Sequence, residues 1–303
     1  MILTKPGAGY NASVMLRREA MAVLLGAGAR AFAAPPKKLD SLIGAIPGAA
    51  LLVDVRTRRL IAVQNPEAAG ALLLPPGSAI KPFTLQALLR NGRLRPGEAF
   101  PCPGNLEIGG RSFACSHPQV AAPIQVPTAL AYSCNCFVAH FAARFAPGEL
   151  AAHLARCGLA SCTGWFGEAE SAGRIQRAHE GEAQQLQAIG EGSVLVSAAA
   201  LALAYRRLAL TAAQPEMAPI RAGLEGAVEF GTAQRARVAG VSVAGKTGSV
   251  RAADGAMIAW FAGFAPSRAP SVAVTVMLQG RSGGTDAAPV AARILEAHLA
   301  GRL

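Results

Sequence analysis

The stretch that decides the fold runs from Val238 to Leu278 and reads VAGVSVAGKTGSVRAADGAMIAWFAGFAPSRAPSVAVTVML. It contains three short apolar runs, Val241–Ala244, Met257–Phe264 and Val272–Leu278, which are separated by polar turns. Runs of this length, rich in Val, Ile and Phe and bounded by turn residues, are typical of β-strands. The C-terminal part of the chain is therefore predicted to form successive strands of a sheet.

The rest of the chain places helices between these strands and an earlier strand pair. Two apolar runs, Ala50–Val55 and Leu60–Val63, flank a polar turn and predict a β-hairpin. Helices are predicted over residues 82–90, 128–145 and 183–210, and a closing helix over residues 286–299. Strands first, helices in the middle and strands last, with no regular βα alternation, predict an α+β fold with an antiparallel sheet.

Composition excludes several classes of protein. Of 303 residues, 52% are hydrophobic and 16% are charged, so a disordered, collagen-like or coiled-coil chain is excluded. The formal net charge is +11, but aromatic residues are only 5% and no basic run is interleaved with them. Stacking on nucleic-acid bases therefore has little support, and no nucleic-acid partner is expected. A basic surface facing an anionic polymer or membrane is equally consistent with this charge.

The first 33 residues resemble an export signal. Arg17 and Arg18 precede the uncharged stretch Ala20–Ala29, and the small residues of Ala31–Ala33 follow. We expect residues 1–33 to be removed, residues 34–47 to form a linker, and residues 48–303 to form the catalytic domain. Met15 is a more natural start than Met1, because residues 1–14 are unlike any leader.

The predicted leader places the mature protein in the periplasm or on the outer side of the cell envelope. A retained N-terminal helix that acts as an anchor is the alternative, but ten uncharged residues are too short to span a bilayer. Sec and twin-arginine export both remain open. No stable membrane span is expected after cleavage, since the longest uncharged run, between Arg111 and Arg144, contains three prolines.

Lysine usage points to two positions. The chain has 29 basic residues, of which five are lysines, and only Lys81 and Lys246 follow residue 38. A lysine can lose its proton at accessible pH and an arginine cannot, so these two positions are expected to need lysine chemistry. Ser78 lies three residues before Lys81, which puts hydroxyl and amine on one helical face. A lysine with a lowered pKa can then activate a serine nucleophile.

Two further motifs follow in the sequence. Ser133-Cys134-Asn135 supplies a hydroxyl and an amide in a region predicted to be helical. Lys246-Thr247-Gly248-Ser249 follows the Val241–Ala244 run, where a cation, a hydroxyl and a residue without a side chain suit a substrate carboxylate and backbone. Taken singly, each motif is weak.

In this order, the S-x-x-K, S-x-N and K-T-G motifs resemble those of the serine penicillin-binding protein and β-lactamase superfamily. The chain is similar over residues 48–300 to the transpeptidase domain of penicillin-binding proteins. The opening hairpin, the helix near residues 188–202 and the strands of residues 238–278 all fit this resemblance. It implies an antiparallel sheet flanked by N- and C-terminal helices, with an inserted all-α subdomain.

The resemblance also implies a role for each residue of the first two motifs. Ser78 would attack a D-Ala-D-Ala carbonyl of a peptidoglycan stem peptide, with Lys81 as its base, and form an acyl-enzyme. Ser133 would pass the proton to the leaving amine, and Asn135 would position Lys81 and the substrate amide. β-Lactams mimic the dipeptide and would acylate the same serine. No cofactor and no metal are implied, and transpeptidase and carboxypeptidase activities both remain open.

The third motif is implied to bind the substrate. Lys246 and Thr247 would hold the terminal carboxylate, and Gly248 would let the substrate backbone approach. The backbone N–H groups of Ser78 and Ser249 would form the oxyanion hole, where each donor contributes about 3 kcal/mol.

Two other functions are compatible with parts of the sequence. A serine β-lactamase or β-lactam sensor shares the motifs, but no asparagine follows Asn135 to accompany a deacylating glutamate. A P-loop NTPase is the distant alternative, because residues 240–247 satisfy G-x-x-x-x-G-K-T. A P-loop opens a helix, whereas Val241–Ala244 is predicted to be a strand.

All six cysteines lie between residues 102 and 162. In an oxidising compartment, Cys102 with Cys115 and Cys157 with Cys162 are the candidate disulfides. Zinc bound by Cys134, Cys136 and His140 is the less favoured alternative, because an open metal site has no role in acyl transfer. The five histidines form no recognisable triad.

Overall fold

The computed structural model describes residues 34–115, 117–118, 122–179 and 181–303. The predicted export signal, residues 1–33, lies outside the described residues. The strands are β1 Lys37–Lys38, β2 Gly48–Asp54, β3 Leu60–Gln64, β4 Asn105–Ile108, β5 Arg111–Ala114, β6 Arg174–Ile175, β7 Val194–Leu195, β8 Ala244–Arg251, β9 Met257–Ala265 and β10 Val272–Gln279. The helices are α1 Asp40–Ile43, α2 Pro66–Ala71, α3 Lys81–Arg90, α4 Val126–Ala131, α5 Asn135–Ala142, α6 Glu149–Arg156, α7 Glu182–Ile189, α8 Ala198–Thr211, α9 Ala218–Glu229 and α10 Ala288–Leu299.

Six strands form the main sheet in the order β1-β3-β2-β10-β9-β8. All neighbours are antiparallel except β1 and β3, which pair in parallel. The hairpin of β2 and β3 lies beside β10, so strands from the early and late parts of the described chain share one sheet. The predicted antiparallel sheet is confirmed, and β8 forms one of its edges.

Both faces of this sheet are buried, which explains the nearly continuous apolar runs. In β9, Trp260 and Phe264 belong to the core cluster on the helical-insert side, whereas Phe261 belongs to the cluster on the opposite side. Successive side chains of a strand point to opposite faces, so each apolar run serves two cores. Helix α8 packs on one face against β2, β9 and β10, and α10 packs against β9 and β10 on the other.

Two helices begin at polar residues whose side chains cap the first turn. The Asn65 side chain accepts a hydrogen bond from the Ala68 N–H at 3.2 Å and caps α2, with Pro66 at its first position. The Ser197 hydroxyl accepts one from the Ala200 N–H at 3.1 Å and caps α8. Such caps satisfy N–H groups that the first helical turn leaves without partners.

Two long predicted helices are each interrupted. Residues 128–145 divide into α4 and α5 at Ser133, whose φ is +60°. Residues 183–210 divide into α7 and α8, with Gly190 at φ +85° and the short strand β7 between them. The inserted region also holds the β4–β5 hairpin and the short antiparallel pair of β6 and β7, so it is mostly helical rather than all-α. Apolar content alone did not indicate these breaks.

Two predicted boundaries are wrong for identifiable reasons. The strand expected at Val241–Ala244 begins only at Ala244, so Lys246 and Gly248 lie inside β8 rather than after it. The expected linker, residues 34–47, is folded: Leu39 and Ile43 are buried, and β1 pairs with β3. The linker prediction rested on the prolines and lysines of residues 35–38 and overlooked the two apolar residues that follow.

Within the described part of the chain, no helix is long and apolar enough to cross a membrane.

Candidate active site

Ser78 lies in a single 3₁₀ turn, Gly77–Ile80, directly before α3. The backbone of this segment is held from three sides. The Gly77 N–H donates to the Gly190 carbonyl at 3.1 Å, and the buried Tyr205 hydroxyl donates to the Ala79 carbonyl at 2.8 Å. The Trp260 indole N–H donates to the Pro75 carbonyl at 3.0 Å. The Ser78 segment is thereby fixed to the sheet and to two helices of the insert.

Lys81 is fully buried at the start of α3. Its Nζ donates to Oδ1 of Asn135 at 2.6 Å, to the Ser133 carbonyl at 2.7 Å and to the Ser133 hydroxyl at 3.3 Å. Burial lowers the pKa of Lys81 to about 8, because the charged form loses its hydration. The structure thus brings the first two sequence motifs into direct contact.

The break between α4 and α5 makes this contact. Ser133 adopts left-handed backbone angles, which are rare outside glycine, asparagine and aspartate. The left-handed turn directs both its carbonyl and its hydroxyl to Lys81. The Cys134 sulfur then caps α5 by accepting the Phe137 N–H at 3.4 Å. A continuous helix would direct this carbonyl along the helix axis to its own backbone.

The K-T-G motif lies on edge strand β8, opposite the Ser78 turn. A Cβ added at Gly248 would stand 2.5 Å from the Pro76 carbonyl, so glycine lets the strand approach the turn closely. The Thr247 hydroxyl lies 2.8 Å from the Thr232 hydroxyl, and the Ser249 hydroxyl accepts the Gly283 N–H at 3.0 Å.

Lys246, which the resemblance assigns to the substrate carboxylate, lies in the interior of the protein. It is fully buried, and its Nζ donates to the Thr247 carbonyl at 3.1 Å. Burial, together with the charge of Lys81, lowers the pKa of Lys246 well below its usual value. Strand alternation places Lys246 and Gly248 on the side of the Ser78 turn and Thr247 on the other side. Because Lys246 lies within a strand, the P-loop interpretation fails.

A cleft of about 510 Å³ joins the three motifs. Its lining includes the predicted residues Ser78, Ser133, Asn135, Thr247 and Ser249. It also includes Thr232, Arg235, Ser282 and Thr285, which the sequence analysis did not single out. Arg235 carries a positive charge, and no aspartate or glutamate lies among the described residues that line the cleft. The cleft is therefore suited to an anionic ligand.

All six cysteines are free thiols, so neither predicted disulfide is formed. The sulfurs of Cys102 and Cys115 are 3.7 Å apart, against about 2.05 Å in a disulfide. Cys157 contacts His153 at 3.4 Å, whereas the Cys162 sulfur contacts the Glu170 carbonyl at 3.8 Å. Cys157 and Cys162 therefore have different partners and are not bonded to each other.

The zinc set considered from the sequence is not assembled either. His140 stacks on the Phe100 ring at 4.2 Å between centroids. Instead, Cys134 and Cys136 lie beside Cys115, at sulfur distances of 3.7 and 3.5 Å. A hydrogen bond from the Cys134 thiol and backbone N–H groups lower the pKa of Cys115 to about 4, despite burial that opposes the shift. The pKa of Cys134 is raised, chiefly because its proton is donated to Cys115.

The fold and this arrangement of motifs fit a transpeptidase domain of the penicillin-binding class. A family model described as the penicillin binding protein transpeptidase domain matches residues 48–296, and the chain belongs to that family. Family membership places it among the enzymes of peptidoglycan, as an acyltransferase or peptidase in the general sense.

Solved structures agree on the fold. PBP2 of Pseudomonas aeruginosa in complex with WCK 5153 has a TM-score of 0.75 at 19% identity, covering 86% of this chain and 72% of that one. A peptidoglycan glycosyltransferase from Burkholderia ambifaria has a TM-score of 0.74 at 24% identity, covering 84% of this chain and 89% of that one. At these identities the likeness concerns the fold alone.

Proposed function

We propose that the protein is a penicillin-binding serine D,D-acyltransferase, which acts on D-Ala-D-Ala stem peptides through an acyl-enzyme on Ser78. The observation that carries the proposal is the fully buried Lys81, whose pKa is lowered to about 8, three residues from a serine that lines the cleft. An amine that is partly neutral near neutral pH can accept the serine proton.

Acid–base roles follow from the contacts of Lys81. In its neutral form the amine takes the Ser78 proton as the hydroxyl attacks the peptide carbonyl. The Ser133 hydroxyl, 3.3 Å from Nζ, then conveys a proton to the departing D-alanine nitrogen. Asn135 holds Nζ through its side-chain oxygen at 2.6 Å. Backbone N–H groups of Ser78 and Ser249 receive the developing oxyanion.

Substrate binding is assigned to the edge strand β8. Among the described residues β8 pairs with β9 on one side only, so an extended peptide can add along the other edge. The hydroxyls of Thr247 and Ser249 line the cleft and would contact the terminal carboxylate, with Arg235 supplying positive charge. Lys246 would act from the buried side of the strand, and Gly248 lets the strand lie close to the Ser78 turn.

The absence of a carboxylate among the described cleft residues supports slow hydrolysis of the acyl-enzyme. Rapid turnover of a penicillin needs a general base that activates water against the ester. A penicillin target is therefore favoured over a β-lactamase. A β-lactam sensor would form the same adduct, but it would not process stem peptides.

An exported location is part of the proposal, because the stem peptides lie outside the cytoplasmic membrane and residues 1–33 resemble a leader. Cell-wall stem peptides and β-lactams are the expected ligands.

The test uses a stem pentapeptide ending in D-Ala-D-Ala, with and without an added amine acceptor. We expect the protein to release D-alanine, and Ser78→Ala to release none. A peptide product joined to the added amine identifies transpeptidation. Formation of only the hydrolysed tetrapeptide identifies a carboxypeptidase. D-alanine release that persists in Ser78→Ala would refute the proposed nucleophile.

A further inference from the structure

A cluster of sulfur and nitrogen atoms lies beside the second motif. Cys102 precedes β4, Cys115 and His117 follow β5, and Cys134 caps α5. One ligand atom from each of these four residues lies within 4.8 Å of all the others. Residues from separate segments, up to 32 positions apart, therefore converge on one point.

The distances within the cluster match the edges of a metal-centred tetrahedron. The sulfur of Cys115 lies 3.7 Å from the sulfurs of both Cys102 and Cys134, and those two are 3.5 Å apart. The His117 Nε2 lies 3.3 Å from the Cys102 sulfur. Tetrahedral zinc, with bonds of about 2.3 Å to sulfur and about 2.0 Å to nitrogen, would separate these atoms by about 3.8 and 3.5 Å.

Groups around the cluster already orient three of these four residues as ligands. The His117 Nδ1 lies 2.8 Å from the Pro118 carbonyl, so Nδ1–H donates there and the Nε2 lone pair faces the sulfurs. The Gly104 N–H donates to the Cys102 sulfur at 3.3 Å, and the Phe137 N–H donates to the Cys134 sulfur at 3.4 Å. Such outer hydrogen bonds fix ligand geometry in metal sites.

We propose that Cys102, Cys115, His117 and Cys134 form a closed structural zinc site. Four protein ligands fill a tetrahedral ion, so the site is structural and has no open position for catalysis. Each cysteine binds as a thiolate and releases its proton to solvent. Cys136, whose sulfur lies 3.5 Å from that of Cys115, stays outside the set.

The site would couple the β4–β5 hairpin to the active-site turn. Cys134 lies between Ser133 and Asn135, both of which accept hydrogen bonds from Lys81. The Asn135 side-chain amide also faces the Ala114 carbonyl at the end of β5, at 3.4 Å. A zinc ion would thus tie this hairpin end to the turn that frames Lys81.

Zinc binding and a Cys102–Cys115 disulfide exclude each other, because the bond would consume two of the four ligands. The two states are distinguished by metal content and by peptide mapping of the same sample. Metal content does not depend on acyl transfer, so failure of the zinc site and failure of the proposed function are distinguishable.

The whole chain is purified without chelator, and its zinc content per chain is measured by inductively coupled plasma mass spectrometry. We expect about one zinc per chain, and tetrahedral thiolate spectra after Co²⁺ replaces it. His117→Gln and Cys102→Ser should bind less than about one-tenth of that amount. Cys162→Ser and Cys136→Ser should retain it. Circular dichroism identifies any variant that fails to fold, and chelation of the unaltered chain should lower Tm, with recovery on adding Zn²⁺.

Zinc-free protein that carries a Cys102–Cys115 disulfide would overturn the proposal. So would an unaltered chain that binds no added Zn²⁺, or a His117→Gln variant that binds as much zinc as Cys162→Ser. Loss of zinc from Cys136→Ser as complete as that from His117→Gln would overturn the ligand assignment.

Discussion

At the scale of single residues, the site depends on two buried amines in a chain that otherwise prefers arginine. Lys81 and Lys246 are both inaccessible to solvent, and burial lowers the pKa of each. Desolvation disfavours an ammonium unless acceptors surround it. Three oxygen acceptors within 3.3 Å stabilise the charged form of Lys81 in part. Burial opposes them and lowers its pKa to about 8, so the amine can exchange its proton near neutral pH.

The rate of acylation by a penicillin should therefore rise with pH. Because the pKa of Lys81 is lowered to about 8, the neutral amine becomes more abundant as pH increases through that value. We expect the rate to increase about tenfold per pH unit below pH 8 and to level off above it. The measurement is the acylation rate constant between pH 6 and 9.5, with folding checked at each pH. A rate that is flat across this range would contradict the role of Lys81 as base.

Replacing each lysine with arginine separates basicity from charge. Both positions are fully buried, so each variant must accommodate a larger cation, and the two serve as matched controls for packing. Lys81→Arg should lower acylation by about 10²- to 10⁴-fold, because arginine cannot take a proton from serine. Lys246→Arg should retain a measurable fraction. Equal losses in two folded variants, measured with a fluorescent penicillin, would show that the assigned roles are wrong.

At the scale of elements, the Ser78 turn depends on a close approach by the end of α7. Gly190 has φ +85°, and a Cβ placed there would stand 2.0 Å from the Gly77 carbonyl. The same pair is joined by a hydrogen bond from Gly77 to Gly190. No side chain fits between the two backbones, so the Ser78 turn and the α7 terminus form one rigid unit.

Gly190→Ala and Gly192→Ala form a matched pair that tests this contact. Both glycines have positive φ, but a Cβ at Gly192 would meet only Leu186, at 3.9 Å. Gly192→Ala should lower the unfolding free energy by about 1 kcal/mol, the strain of the left-handed backbone. Gly190→Ala should lower it by about 3 kcal/mol or more and abolish penicillin labelling. Urea unfolding measures the difference, and similar losses for the pair would argue against a rigid unit.

Elements whose signal is local were predictable from the sequence, and those set by tertiary contacts were not. The strands β9 and β10 and the β2–β3 hairpin follow from apolar runs between turns. The meeting of Lys81 with Ser133 and Asn135 could be anticipated only through the resemblance, because it joins positions more than 50 residues apart. The left-handed Ser133 carries no glycine signal, so the break between α4 and α5 was missed.

The sequence analysis identified only part of the cleft, because the remaining lining residues are brought there by tertiary contacts. Five of its residues belong to short motifs. Thr232, Arg235 and Thr285 lie in connecting segments, two of which form short helical turns, and packing brings these segments to the cleft. The sequence analysis considered Cys102 and Cys115 only as a pair, because spacing along the chain does not reveal that Cys115 and Cys134 meet. The sequence analysis also missed the burial of Lys246. It predicted the strand over Val241–Ala244 and placed Lys246 after it, whereas Lys246 lies within β8.

At the scale of the whole folded unit, the sheet is completed by its first strand and first helix. Strand β1 pairs with β3, and α1 contacts α10. Leu39 is 0% exposed and Ile43 is 6% exposed, so both contribute to the core on that face of the sheet. The folded unit therefore begins near Lys37, before the motif-bearing region.

Two truncations test this boundary. A chain that begins at residue 35 should unfold at the same urea concentration as the full-length protein. A chain that begins at residue 45 loses Leu39 and Ile43 and should be less stable by about 3 kcal/mol or more, since each fully buried aliphatic side chain contributes about 1.5 to 3 kcal/mol. Equal stability of the two truncated chains, measured by urea unfolding, would show that residues 35–44 act only as a linker.

The central claim, a long-lived acyl-enzyme on Ser78, is tested most directly by time-resolved mass spectrometry of the whole chain with a penicillin, followed by peptide mapping. We expect one added penicillin mass per chain, located on the peptide that contains Ser78, persisting after free antibiotic is removed and absent from Ser78→Ala. An adduct on another residue, or hydrolysed penicillin released continuously from unmodified protein, would contradict the account.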